Sequence, residues 1–203
     1  KERTMSKLSL RNSSVLFLLL AVAAPAMALN VVNTSSPSVN CIFNTTCSIT
    51  VTEKIGPFLS NSYVQSRYTQ GQPGSTAAGK WLYLYRIDMR DEVGVVNIPY
   101  VTGLRVPFQG LRQYDFNFDA VATDHVFNIT SGAMGSKGVT SANLAFGALT
   151  FNLSTVYGGS YPGNGESSYY FGVVSDYGPR AQYATIYTSS GSQSVVVWAP
   201  YNP

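Results

Sequence analysis

The residues in this sequence best suited to chemistry lie in one segment, Asp115-Phe116-Asn117-Phe118-Asp119-Ala120-Val121-Ala122-Thr123-Asp124. Asp115, Asn117 and Asp119 alternate with apolar residues, and Asp124 follows just before the apolar run His125-Val126-Phe127-Asn128-Ile129-Thr130. On a curled loop, alternate oxygens converge on one point, which is how hard cations such as Ca²⁺ are held. The carboxylates also repel one another, and only Arg112 is close in sequence to offset them. A bound divalent ion would remove that repulsion. Two other conformations compete for the same residues. In a solvated hairpin, Asp and Asn side chains bond nearby backbone amides. In a strand, Tyr114, Phe116 and Phe118 take one face and the acidic residues the other.

The segment resembles the calcium loops of FG-GAP and thrombospondin type 3 repeats, in which Asp-x-Asn/Asp-x-Asp precedes a glycine and then a closing aspartate. The resemblance spans residues 115–124 only. It implies side-chain ligation by Asp115, Asn117 and Asp119, a carbonyl ligand from Val121, and closure by Asp124. Ala120 stands where those loops carry glycine, and the closing aspartate comes one residue late. A calcium wrapped in this way is structural, because it keeps no open position for a nucleophile.

A second candidate surface is the loop from Tyr157 to Tyr170, where Tyr157, Tyr161, Asn164 and Glu166 combine aromatic faces with hydrogen-bonding groups. Such a set can stack on a sugar ring and bond its hydroxyls. The plainer alternative is a flexible loop whose flanking tyrosines begin a core strand. His125, the only histidine, reads as a strand residue at the edge of the acidic segment.

Recognisable catalytic patterns are missing. No Gly-x-Ser-x-Gly elbow occurs, and the glycines from Gly158 to Gly165 lack the lysine and helix of a phosphate cradle. A glycosidase needs two carboxylates facing each other across a cleft. Outside the acidic segment, Glu53, Asp91, Glu92 and Glu166 offer no pair of glutamates at strand spacing. The expectation is a non-catalytic protein, with a secreted glycosidase as the nearest enzymatic alternative.

The elements that must position these residues read as strands. Trp81, Tyr83, Tyr85, Ile87 and Met89 alternate along one run, as do Leu104, Val106 and Phe108, and Leu149, Phe151 and Leu153. Cys47, Ile49 and Val51 alternate as well, and residues 169–175, 181–188 and 194–198 complete the set. Period two, with no sustained helical period, predicts β structure throughout. Breaker-rich loops between the runs predict an all-β fold, a single antiparallel two-sheet sandwich of jelly-roll or Ig-like type.

Residues 1–28 read as upstream residues followed by an export signal, leaving 29–203 as one domain. Lys7 and Arg11 precede the apolar run Val15–Ala24, Pro25 breaks it, and Ala26-Met27-Ala28 supplies the small residues for cleavage after Ala28. The run is too short to span a bilayer, which takes about 20 apolar residues. Cys41 and Cys47, the only cysteines, fit one disulfide in an oxidising compartment. Closing so short a loop is worth about 2.4 kcal/mol in chain entropy.

Thirteen Lys and Arg face ten Asp and Glu, and the excess sits before the apolar run; from Leu29 onward nine cations face nine anions. A neutral domain has no electrostatic footprint for nucleic acid. All fourteen tyrosines follow Leu29. The start of the domain, Leu29 to Ser35, reads either as an extended arm able to add to a neighbour's sheet edge or as a disordered terminus. Asn-x-Ser/Thr sequons occur at Asn33, Asn44, Asn128 and Asn152, and chance produces them readily in a Ser/Thr-rich chain. These features predict a secreted or periplasmic structural or adhesive component that associates with itself, or alternatively a module that binds surface glycans.

Overall fold

The computed structural model describes residues 26–132 and 135–203. Most of the expected leader, including its apolar run, lies outside the described residues. The described residues form thirteen strands and one helix, in chain order: β1 (Met27–Leu29), β2 (Val31–Thr34), α1 (Ser36–Phe43), β3 (Thr52–Phe58), β4 (Ser62–Gln70), β5 (Trp81–Asp88), β6 (Tyr100–Pro107), β7 (Leu111–Arg112), β8 (Val126–Ile129), β9 (Val139–Ala145), β10 (Ala148–Tyr157), β11 (Tyr170–Ser175), β12 (Pro179–Thr188) and β13 (Gly191–Pro200). The first sheet runs β1-β9-β10-β6-β12-β13 and the second β2-β8-β11-β5-β4-β3, with β7 beside the end of β11. All pairings between these strands are antiparallel except β2 with β8. The all-β sandwich read from the period-two pattern is the fold.

The core between the sheets is built from the alternating residues. Tyr83, Tyr85, Ile87, Leu104, Phe151 and Val173 are fully buried there. A buried phenol needs a partner. The Tyr83 hydroxyl donates to the Tyr177 carbonyl at 2.8 Å and that of Tyr85 to the Trp198 carbonyl at 2.9 Å. Burial pushes both phenols up from their ordinary pKa.

The second sheet is covered on its outer face too. A second apolar cluster joins Val39, Ile42 and Phe43 of α1 to Leu82, Leu84, Phe116, Phe127, Tyr170 and Val174. This explains why β5 is apolar on both faces over Leu82 to Leu84, as a strand covered twice must be. The helix departs from the strands-only expectation. Eight residues are too few to display a helical period, but Ser35 caps the helix by accepting from the Ser38 amide at 3.2 Å, and a proline sits in its first turn. Cys41 and Cys47 form the disulfide that ties α1 to the chain after it. The alternation at Cys47, Ile49 and Val51 is not a strand. That stretch is an irregular return path, and pairing begins at Thr52.

Both sides of the sandwich are closed. On one, Gly56 of β3 sits so close to β13 that a Cβ would lie 2.7 Å from the Val196 carbonyl oxygen. Ser66 also accepts from the Trp198 amide at 3.0 Å. On the other side the chain crosses sheets at Asn30, since β1 pairs with β9 and β2 with β8. Residues 29–35 are therefore not a projecting arm; they pair within their own sandwich. Below this crossing the Asn128 side chain stands in for a strand: its Nδ2 donates to the Val139 carbonyl at 3.1 Å and its Oδ1 accepts from the Val139 amide at 2.8 Å. Replacing Asn128 with Ala leaves both backbone groups buried and unpaired. The expected loss is about 2 kcal/mol, read as a fall in Tm of roughly 4–8 °C.

Candidate functional site

The acidic segment is an exposed loop between β7 and β8, closed by one pair of backbone bonds between Tyr114 and Asp124, 3.0 Å in each direction. Its acidic and amide side chains bond the loop's own backbone. Asp115 accepts from the Asp119 amide at 3.0 Å and from the Ala120 amide at 2.8 Å. Asp119 accepts from the Val121 amide at 2.9 Å and from Asn117 Nδ2 at 2.9 Å. The Val121 carbonyl accepts from the Thr123 amide at 2.8 Å. Phe118 and Ala120 both have positive φ, 60° and 69°. A strand through the segment is thereby ruled out: Phe116 is buried, while Phe118 points to solvent. Among the described residues, no three His, Cys, Asp or Glu side chains group to hold a metal.

Asp124 stands apart from the other acids. It is 1% exposed. One oxygen accepts from the Phe116 amide at 2.9 Å, and the other accepts from Asn30 Nδ2 at 2.9 Å. Asn30 is the residue where the chain crosses sheets, so Asp124 locks the loop to the crossing. Burial raises its carboxyl above the usual range; the amide bonds oppose this, and repulsion from Asp119 and Asp115 adds to it. His125 braces the same corner, its ring facing the Asn30 amide at 3.4 Å and the Gln113 amide group at 3.0 Å. Burial lowers the pKa of that ring.

The tyrosine loop divides into two parts. Glu166 braces the loop: it accepts from the Tyr157 amide at 3.0 Å and pairs with Lys137 at 3.1 Å. Asn164 lies in a turn whose amide donates to the Tyr161 carbonyl. Tyr157 and Tyr161 are exposed, and Tyr157 packs edge-on against Tyr100 with centroids 5.7 Å apart. Beside them the loop before β6 displays Val95 at 83% and Val96 at 90% exposure, with Ile98 next to them. Backbone bonds from Gly94 to Gly159 and from Gly158 to Pro99 hold the two loops together.

No family model matches the chain. Neither a curated protein nor a solved structure matches it.

Sequence reasoning missed a third cluster, on the outer face of the second sheet. Glu53 of β3, Arg67 and Gln65 of β4, Arg86 of β5 and Tyr170 of β11 meet there. Arg67 pairs with Glu53 at 2.9 Å and stacks over the Tyr170 ring at 4.6 Å. Arg86, only 5% exposed, donates to Ser167 at 2.9 Å and to Gln65 at 3.2 Å, and its guanidinium lies 5.8 Å from the same ring. Alternation places Arg67 and Arg86 on one sheet face, but only the register between the strands brings them together.

Outside the acidic loop, Glu92 and Asp88 are also engaged. Glu92 is buried and accepts from Ser62 Oγ at 2.9 Å and the Asn61 amide at 2.7 Å. Burial pushes the Asp88 carboxyl up, but bonds from Arg90 and the Arg86 charge outweigh it and hold the group below its ordinary value.

Two measurements follow. Because the loop closes through its own amides, Tm is expected to be the same in calcium and in EDTA; a rise of several degrees in calcium would instead support the wrapped-ion reading. Asp176, bonded to Arg112 at 2.7 Å and to Lys80 at 2.6 Å, tests pH. The Arg112 bond, opposed by burial and aided by Lys80, holds its carboxyl below the usual range. A depressed carboxylate stabilises fully above its unfolded value, near pH 4, and loses that stabilisation as pH falls through the folded value. Asp176→Asn should therefore be less stable than the parent at about pH 7, with the gap closing toward about pH 2 in urea titrations.

Proposed function

We propose that this protein is an exported, non-catalytic structural or adhesive component that works by contact, with copies associating through the loop end of the sandwich. The observation that carries this reading is the display of Val95, Val96 and Ile98 beside Tyr100, Tyr157 and Tyr161. Scattered apolar residues on a surface are ordinary, but a contiguous group held out by a braced loop is the mark of an interaction site. A second copy is a suitable occupant because the chain from Leu29 onward carries equal numbers of cations and anions, so copies do not repel. The disulfide fits an oxidising compartment, and no helix among the described residues is long and apolar enough to cross a membrane.

The exposed faces of Tyr157 and Tyr161 favour one alternative, a carbohydrate-binding module, since such rings stack on sugars. Negative-stain imaging with sizing chromatography separates the two. The parent should form oligomers or fibres, and Val95→Asp combined with Val96→Asp should remain monomeric at unchanged Tm. Retention on polysaccharide, lost in Tyr161→Ala, would replace self-association with glycan binding. A monomeric parent that binds no polysaccharide overturns both.

A further inference from the structure

We infer that the cavity between α1 and the outer face of the second sheet binds a small organic carboxylate with an apolar body. The cavity encloses about 230 Å³. That is below the roughly 300–1,000 Å³ of sites for drug-sized ligands, so the occupant is compact. Its floor is Leu84, Ile129 and Tyr170 of three adjacent strands. Val39 and Asn40 of α1 form one wall, and Ile49 and Val51 of the return path form another. The Cys41–Cys47 bridge joins these two walls at their base, fixing how far apart they stand. Beside the floor, Gly172 lets Leu84 and Phe127 close over β11, since a Cβ there would come within 2.7 Å of both.

Arg67 is the charged group lining this space. A guanidinium carries five donors in a planar fork and recognises carboxylates through two of them at once. Here one donor reaches Glu53, and Nε is buried with no partner. Behind it, Arg86 is also buried with an unpartnered Nε. A buried unpaired donor is costly, and two in one cluster leave a local excess of positive charge and of donors. Glu53 answers Arg67, and Asp88, the acid nearest Arg86, is shared with Arg90. An anionic acceptor entering beside Arg67 meets a guanidinium that only Glu53 answers, while Val39, Ile49, Val51 and Leu84 take up an apolar body. Ser36, Asn40 and Ser131 at the cavity wall supply further polar contacts.

The test uses the disulfide-intact chain, with benzoate as the probe and benzyl alcohol as its uncharged counterpart. Calorimetric titration should show saturable benzoate binding, with benzyl alcohol weaker by about tenfold or more. Arg67→Gln should weaken benzoate to the level of the alcohol. Val51→Trp, which fills the cavity while leaving Arg67 and Glu53 in place, should abolish binding of both probes, and circular dichroism should show each variant folded. Equal affinity for the two probes, binding unaffected by Val51→Trp, or no benzoate binding up to about 10 mM would each overturn the assignment.

Discussion

A sheet that is apolar on both faces cannot be left half covered, and this constraint shapes the second sheet and everything near it. Between the sheets, Tyr83, Tyr85 and Ile87 fill the core. On the opposite side Leu82, Leu84, Phe127 and Val174 would face water if nothing lay over them. The chain covers them with pieces too short to be stable alone: one two-turn helix, a disulfide loop and the acidic loop that lowers Phe116 onto Phe127, ring centroids 4.4 Å apart. Isolated helices of that length do not form in water, so packing and the Cys41–Cys47 bridge hold α1 in place. The roof leaves one gap, lined by Leu84, Ile129 and Tyr170 as well as Arg67, and that gap is the cavity.

Asp124 joins this cover to the sandwich. Through Phe116 it fixes the acidic loop, and through Asn30 it fixes the crossing from the first sheet to the second. The loop is thus a strap across a corner of the fold. Its other acids, Asp115 and Asp119, shape it from within by accepting backbone amides that would otherwise have no partner in so tight a turn. Positive φ at Ala120, a conformation that L-residues adopt at a cost, is held by these bonds.

The strands that line the core were legible because alternation survives where only one face is buried, as from Leu149 to Leu153, and because Trp81 to Met89 still places a large apolar residue at every second position. The disulfide was legible because two cysteines allow only one pairing. The β3–β4 hairpin was not, since Thr52 to Gln70 mixes charged and apolar residues on a face that is only half covered. Nor was α1, whose signals are a cap and a proline rather than a period. In the acidic segment the residue types were informative but the geometry was not. The same alternating oxygens suit a cation or a self-bonded turn, and residue types alone do not separate them. The Arg67 cluster draws on four strands, one of them, β11, far away in sequence, so nothing local announces it.

Asn128 carries an implication for making this protein. It begins an Asn-Ile-Thr sequon, yet its side-chain amide is buried and both of its polar atoms bond Val139 across the gap between the sheets. A sugar attached to that nitrogen has no room in the closed sandwich and removes the bond that seals it. A cell that decorates nascent chains before they fold would install an obstruction at the seam, whereas a host without that machinery, or a chain with Thr130 changed to Ala, avoids it.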